Sequence, residues 1–188
     1  AVAVAYRPIG NGREVYSIAD ESNMTFVGYV SFVDPPKEST REALEQAEAL
    51  GVEIKILTGD NELVTARICE RVGLKVKGVL MGQDVDALDD SELAARAEQA
   101  TVCARLSPDQ KDRIIAALKR SGHVVGYMGD GINDAPSLRT ADVGVSVSNA
   151  VDVAREAADI ILLEEGLHVL ETGIVEGRKT FANTLKYI

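Results

Sequence analysis

His123-Val124-Val125-Gly126-Tyr127-Met128 runs directly into Gly129-Asp130-Gly131-Ile132-Asn133-Asp134-Ala135-Pro136. The first six residues form a short apolar run rich in β-branched side chains, as a buried strand requires, and the glycines that follow break it abruptly. A buried strand therefore delivers carboxylates to a tight turn. Glycine lets the backbone bend and approach a ligand closely, while Asp130, Asn133 and Asp134 crowd two charges and an amide into five positions. Such a set suits a hard divalent cation, and Mg2+ held by one or two carboxylates beside phosphate oxygens is the common arrangement. Asp-Gly alone is also an ordinary turn pair, so the reading depends on the rest of the chain.

Immediately upstream, Ser107-Pro108-Asp109-Gln110 combines a helix cap, a proline at the first helical position and a capping-box glutamine. It predicts a helix to Ser121 stopped by Gly122, preceded by a strand over Thr101–Leu106. Further upstream, Ser39 and Glu42 suggest a capping box. The apolar face Ala43, Leu44, Ala47, Leu50 continues that helix to Gly51, and Val52–Leu57 then reads as a strand ending in Thr58-Gly59-Asp60-Asn61. A helix over Glu62–Val72, closed by Gly73, follows. Gly78–Gly82 predicts a short strand, Asp84–Asp90 an acidic loop and Ser91–Ala100 an Ala-rich helix. Downstream of the glycine turn come a short helix at 136–140, a strand at 142–147, a helix at 150–158 and a strand at 159–163. This alternation predicts an α/β fold, a parallel sheet with helices on both faces.

The ends differ from this pattern. Residues 1–33 read as β, with Ala1–Tyr6, a Gly10-Asn11-Gly12 turn and a long strand from Met24 to Val33; Asp34-Pro35-Pro36-Lys37 forms a stiff hinge and a domain boundary. From Leu167 onward, Leu170, Ile174, Phe181, Leu185 and Ile188 recur at helical spacing with no stop signal. The first half of that helix is expected to pack on the sheet. The chain starts without Met and without a leader pattern, and reads as a piece that begins mid-strand.

In an open parallel α/β sheet, ligands bind beyond the carboxyl ends of the strands. Three strands here place polar groups at those ends. One delivers Thr58, Gly59 and Asp60, one leads to a helix whose first turn carries Lys111, and one delivers Asp130, Asn133 and Asp134. A hydroxyl with backbone N–H groups to hold a phosphate, an ammonium to neutralise it and carboxylates for Mg2+ are the parts of a phosphoryl-transfer site.

Composition excludes several alternatives. The formal charge is −10 and no basic stripe is present, so a nucleic-acid surface is ruled out. Cys69 and Cys103 lie far apart in helix-like and strand-like segments and read as buried free thiols, consistent with a reducing compartment. No apolar run reaches bilayer-spanning length. The two histidines, His123 inside a predicted strand and His168 at a helix start, fit neither a serine triad nor a zinc site. Asp84-Val85-Asp86 is the one Asp-x-Asp, but no strand leads into it.

Taken together, Thr58-Gly59-Asp60, Lys111 after Ser107-Pro108, and Gly129 through Pro136 resemble the phosphorylation domain of P-type ATPases, members of the haloacid-dehalogenase-like superfamily. The Asp34–Lys37 hinge resembles that family's return from the nucleotide-binding to the phosphorylation domain. The wording of Lys55–Asp60, Glu156–Glu164 and Glu176–Asn183 is similar to bacterial magnesium-transporting members. The resemblance implies a Rossmann-like parallel sheet, and a pump cycle in which ATP phosphorylates an aspartate whose hydrolysis drives ion movement. It implies that Thr58 and Gly59 hold the phosphoryl group, Lys111 neutralises it, Asp130 and Asp134 serve the Mg2+ site with Asn133 shaping it, and Asp60 and Lys111 reach the nucleotide.

It further implies that residues 1–33 end a nucleotide-binding domain, 34–166 form the phosphorylation domain and 167–188 lead to a membrane stalk. The partners would be the nucleotide-binding, actuator and membrane domains of the same polypeptide, in a bacterial inner membrane, with this stretch itself cytoplasmic and not inserted. The family's Asp-Lys-Thr-Gly-Thr nucleophile motif is absent, so no pump activity is expected of the stretch alone. The central strand bearing that aspartate is missing, which leaves two facing edges to be filled by a supplied segment, by Ala1–Tyr6 or by a second copy. A soluble phosphatase of the same superfamily and a catalytically silent interaction module are the competing readings.

Overall fold

In the computed structural model the described residues are 2–8, 15–31, 39–164 and 166–186; the Gly10–Gly12 turn and the Asp34–Lys37 hinge lie outside them. The chain divides into two compact units, Ala1–Pro35 and Pro36–Ile188. In the first, β1 (Val2–Tyr6) pairs antiparallel with β2 (Thr25–Val30), with a bulge between Val4 and Ala5. Within this unit Val2–Tyr6 has β2 as its strand partner.

The second unit contains α1 (Ser39–Ala49), β3 (Ile56–Leu57), α2 (Glu62–Val72), β4 (Val79–Met81), α3 (Gly82–Ala87), α4 (Asp90–Gln99), β5 (Val102–Ala104) and α5 (Pro108–Arg120). It continues with β6 (Gly126–Met128), α6 (Ala135–Thr140), β7 (Val143–Val147), α7 (Asp152–Ala157), β8 (Ile160–Leu162) and α8 (Leu167–Thr184). The expected parallel α/β architecture is present as two three-stranded sheets, ordered β3-β5-β4 and β6-β7-β8. β3 and β6 are each an edge of their sheet. Among the described residues no strand pairs with the free side of either.

Helices cover both faces of the first sheet because side chains alternate along β5. Val102 and Ala104 meet Cys69 of α2 on one face, while Cys103 meets Leu80, Leu93, Ala97 and Ile114 on the other. In the second sheet Tyr127 faces Leu138 of α6 and Ala154 and Ala157 of α7. Met128, Val147 and Leu162 line a cavity of about 200 Å³ closed by the starts of α1 and α8. α5 joins the two halves: Ile114 belongs to the first core and its neighbour Ile115 to the second, both at most 1% exposed. Leu57 and Val125 also pack against both cores.

Local signals account for several boundaries. The Asn61 side chain accepts from Leu63 N–H at 2.8 Å to start α2, and Gly73 stops it at φ 80°, a conformation that costs other residues heavily. Ser107 and Gln110 form the expected reciprocal cap of α5. Four expectations are corrected. The strands are shorter than the runs predicted for them, most clearly β3, because hydrogen bonding stops where a partner is lacking. Residues 82–87 form a helix, not an acidic loop: Val85 is fully buried, and the Asp86 carboxylate accepts from Gln110 Nε2 at 2.7 Å. His123 lies outside β6, exposed and 3.0 Å from Glu98. The first half of α8 packs on α1, where Arg178 Nη1 also donates to Leu50 O.

Candidate active site

The glycine turn after β6 is shaped around Asp134. A Cβ on Gly129 would lie 2.5 Å from the Asp134 Cβ, so only glycine permits the carboxylate to fold back beneath the turn. There, Asp134 Oδ2 accepts from Gly131 N–H at 3.1 Å. Its Oδ1 accepts from the Tyr127 hydroxyl at 2.7 Å and from Lys111 Nζ at 2.8 Å. Lys111 and Asp134 side chains are each only 14% exposed. Burial pushes the Asp134 carboxyl up, but the Lys111, Tyr127 and Gly131 donors outweigh it and hold it below the usual carboxylate range. The Tyr127 phenol is pushed well above its ordinary value by burial and by the Asp134 carboxylate it faces.

This ion pair spans the two halves of the unit. Lys111 comes from the first turn of α5, directly after a strand of the first sheet; Asp134 follows the edge strand of the second. The pair therefore brings the carboxyl ends of β5 and β6 to one place. Asp130 sits in the same turn but behaves oppositely: it is exposed, and its carboxylate has no partner among the described residues. Asn133 is likewise exposed.

At the end of β3, Thr58 N–H donates to Cys103 O and Leu106 N–H to Thr58 O, extending the β3–β5 ladder to the turn. The Thr58 hydroxyl accepts from Asp60 N–H at 3.0 Å, which curls Thr58-Gly59-Asp60 into a tight turn with Gly59 and Asp60 exposed. Among the described residues, no hydrogen bond joins this turn to Lys111, Asp130 or Asp134. Arg105, the residue directly after β5, faces it: Arg105 N–H donates to Asp60 O, its φ is 54°, and its guanidinium pairs with Glu62 at 2.7 Å.

Two participants escape a sequence reading. Tyr127 looks like one more apolar strand residue, and Arg105 shows no motif of its own; a positive φ outside glycine is visible only in coordinates. Both Asp134 oxygens already hold protein donors, whereas the Asp130 carboxylate holds none among the described residues. Among the described residues no group of three His, Cys, Asp or Glu side chains could hold a metal by itself. A cation at Asp130 must complete its shell with water or ligand oxygens, which fits Mg2+ beside a phosphate and disfavours an all-protein cage.

Residues 5–142 match the family model described as haloacid dehalogenase-like hydrolase. The chain belongs to the haloacid dehalogenase-like hydrolase family. Along its full 188 residues it is 58% identical to the P-type 1 magnesium-transporting ATPase of Escherichia coli K12, and 57% identical to that of Salmonella typhimurium LT2. It spans 21% of the length of each, about a fifth of these curated relatives. Among solved structures, a zinc-transporting PIB-type ATPase in an E2.Pi state matches with a TM-score of 0.64 and 29% identity, over 81% of this chain and 21% of that one. This member of the family has no helix, among its described residues, long and apolar enough to cross a membrane.

Proposed function

We propose that the chain is the phosphorylation domain of an ATP-driven P-type pump whose transported ion is magnesium. The observation that carries this reading is the largely buried Lys111–Asp134 pair, which holds one ammonium beyond the carboxyl ends of β5 and β6, with Asp134 in the same loop as an Asp130 carboxylate that has no partner among the described residues. Identity of 58% to magnesium-transporting ATPases supports the choice of pump. The attacking aspartate comes from outside residues 1–188, on an extended segment that inserts between β3 and β6 and satisfies both edges.

In this site Thr58 and the Gly59 backbone hold the phosphoryl oxygens, and Lys111 offsets their charge. Asp60 orients the nucleotide end. Asp130 is the protein ligand for Mg2+, with Asn133 beside it, and the ion when bound supplies charge neutralisation at the phosphate. Asp134 holds Lys111 and does not meet the cation first. Residues 1–33 then belong to a nucleotide-binding domain, 34–166 to the phosphorylation domain, and 167–188 lead to a membrane stalk. The partners are the nucleotide-binding, actuator and membrane domains of a bacterial inner-membrane pump, with this domain on the cytoplasmic side.

The test is Mg2+-dependent hydrolysis of an aryl phosphate by the purified 188-residue chain, beside its Asp130→Ala variant. No turnover from the folded chain is expected, with turnover appearing once the aspartate-bearing segment is restored. Turnover by the chain alone that Asp130→Ala abolishes would replace this reading with a self-sufficient phosphatase.

A further inference from the structure

We infer that Tyr127 is a positioning residue whose hydroxyl allows Lys111 to leave Asp134 and meet the incoming phosphoryl group. This rests on the phosphoryl-transfer reading above. Lys111 is paired with Asp134 at 2.8 Å, and in that reading it also has to turn toward an anion arriving beyond the strand ends. A buried carboxylate oxygen stripped of its donor is costly, so a tight pair would resist the move.

The geometry removes that obstacle. Asp134 Oδ1 has a second donor, the Tyr127 hydroxyl at 2.7 Å, and Oδ2 keeps Gly131 N–H. When Lys111 departs, each carboxylate oxygen therefore retains one hydrogen bond. Lys111 Nζ also lies 3.4 Å from the phenol oxygen, within reach of an acceptor as it moves. The ring itself cannot follow, because Tyr127 is 8% exposed and packed against Ile115, Leu138 and Ala154. A phenylalanine would fill the same core space but leave Oδ1 with Lys111 as its sole donor. The hydroxyl, and not the ring, is what the site needs.

The experiment uses the full-length pump and orthovanadate, an analogue of inorganic phosphate. Tyr127→Phe is expected to lower kcat and weaken the calorimetric Kd for orthovanadate in Mg2+ about tenfold each, the scale of one hydrogen bond to a charged group, with KM for ATP and the melting temperature unchanged. Unchanged Kd and kcat would overturn the inference, as would a fall in melting temperature with kcat and KM shifting together. Should the Phe variant not fold, 3-fluorotyrosine at 127 keeps the ring and strengthens the donor; tighter orthovanadate binding is expected, and unchanged binding overturns the inference. Lys111→Ala separates the two levels. If it still binds orthovanadate and turns over like wild type, the site reading itself fails; if it is inert while Tyr127→Phe is normal, only the role of Tyr127 falls.

Discussion

The two strand ends that frame the site are built in opposite ways. Beyond β6, Asp134 is held by donors from three places: Lys111 on α5, Tyr127 on β6 and the Gly131 backbone. Beyond β3, Thr58-Gly59-Asp60 is held by its own Thr58 hydroxyl and by backbone bonds to Cys103, Arg105 and Leu106, with Gly59 and Asp60 exposed. Asp130 repeats the contrast inside a single loop, since it lies four residues from Asp134 yet carries an exposed carboxylate with no partner among the described residues. The lesson is a division of labour. Asp134 is held by donors from separate elements, and in the proposed site it keeps the Tyr127 hydroxyl and Gly131 N–H when Lys111 turns to the ligand. Groups that touch the ligand stay open, because any protein partner would have to be displaced.

This contrast can be broken most severely at Lys111. Lys111→Ala leaves a mostly buried carboxylate with its ammonium gone, and unfolding in urea should show a loss of about 3 kcal/mol, the low end for a broken buried pair because Tyr127 and Gly131 remain. A loss no larger than that of a surface lysine would mean the pair is solvated.

A smaller and pH-dependent effect belongs to Asp134. Its folded pKa is depressed, so its contribution is complete above the unfolded value of about 3.9 and fades as pH falls through the lower folded one. The stability gap between wild type and Asp134→Asn should accordingly be widest near pH 6 and narrow steadily from about pH 4 downward. A gap that stays constant to pH 2 would contradict the hydrogen-bonding pattern.

The smallest effect is expected at the open groups. Asp130→Ala should change stability by no more than about 0.5 kcal/mol, as exposed substitutions do. Asp130→Ala should nevertheless abolish Mg2+-dependent turnover of the full-length pump. A large destabilisation by Asp130→Ala would show that the carboxylate has a structural partner after all.

Helices with local punctuation were legible in the residues. α2 runs from Glu62 to Val72 as the Asn61 and Gly73 signals indicate, and the Ser107–Gln110 box opens α5 as expected. Elements that depend on distant partners were not. Val52–Leu57 alternates apolar and charged residues as a half-buried strand does, yet only Ile56 and Leu57 pair, with Val102 and Cys103. The acidic wording of residues 84–90 conceals α3, whose Val85 is held in a core assembled from α4, β5 and α5. α8 shows the same limit from the other side: its apolar spacing persists to Leu185, but Phe181 and Leu185 are exposed and only its first half finds α1.

Hydrophobic period and turn chemistry act between neighbours, so the order of residues alone determined the βα rhythm and put Thr58, Lys111 and Asp130 at strand or helix ends. It could not say which carboxylate of Asp130 and Asp134 is free. That depends on donors 16 to 23 residues apart along the chain, Lys111 with Tyr127 and with Asp134, which meet because α5 buries Ile114 in one core and Ile115 in the other. Only packing between the two sheets could bring them within hydrogen-bonding distance, and that packing turns one aspartate into a clamp and leaves the other exposed.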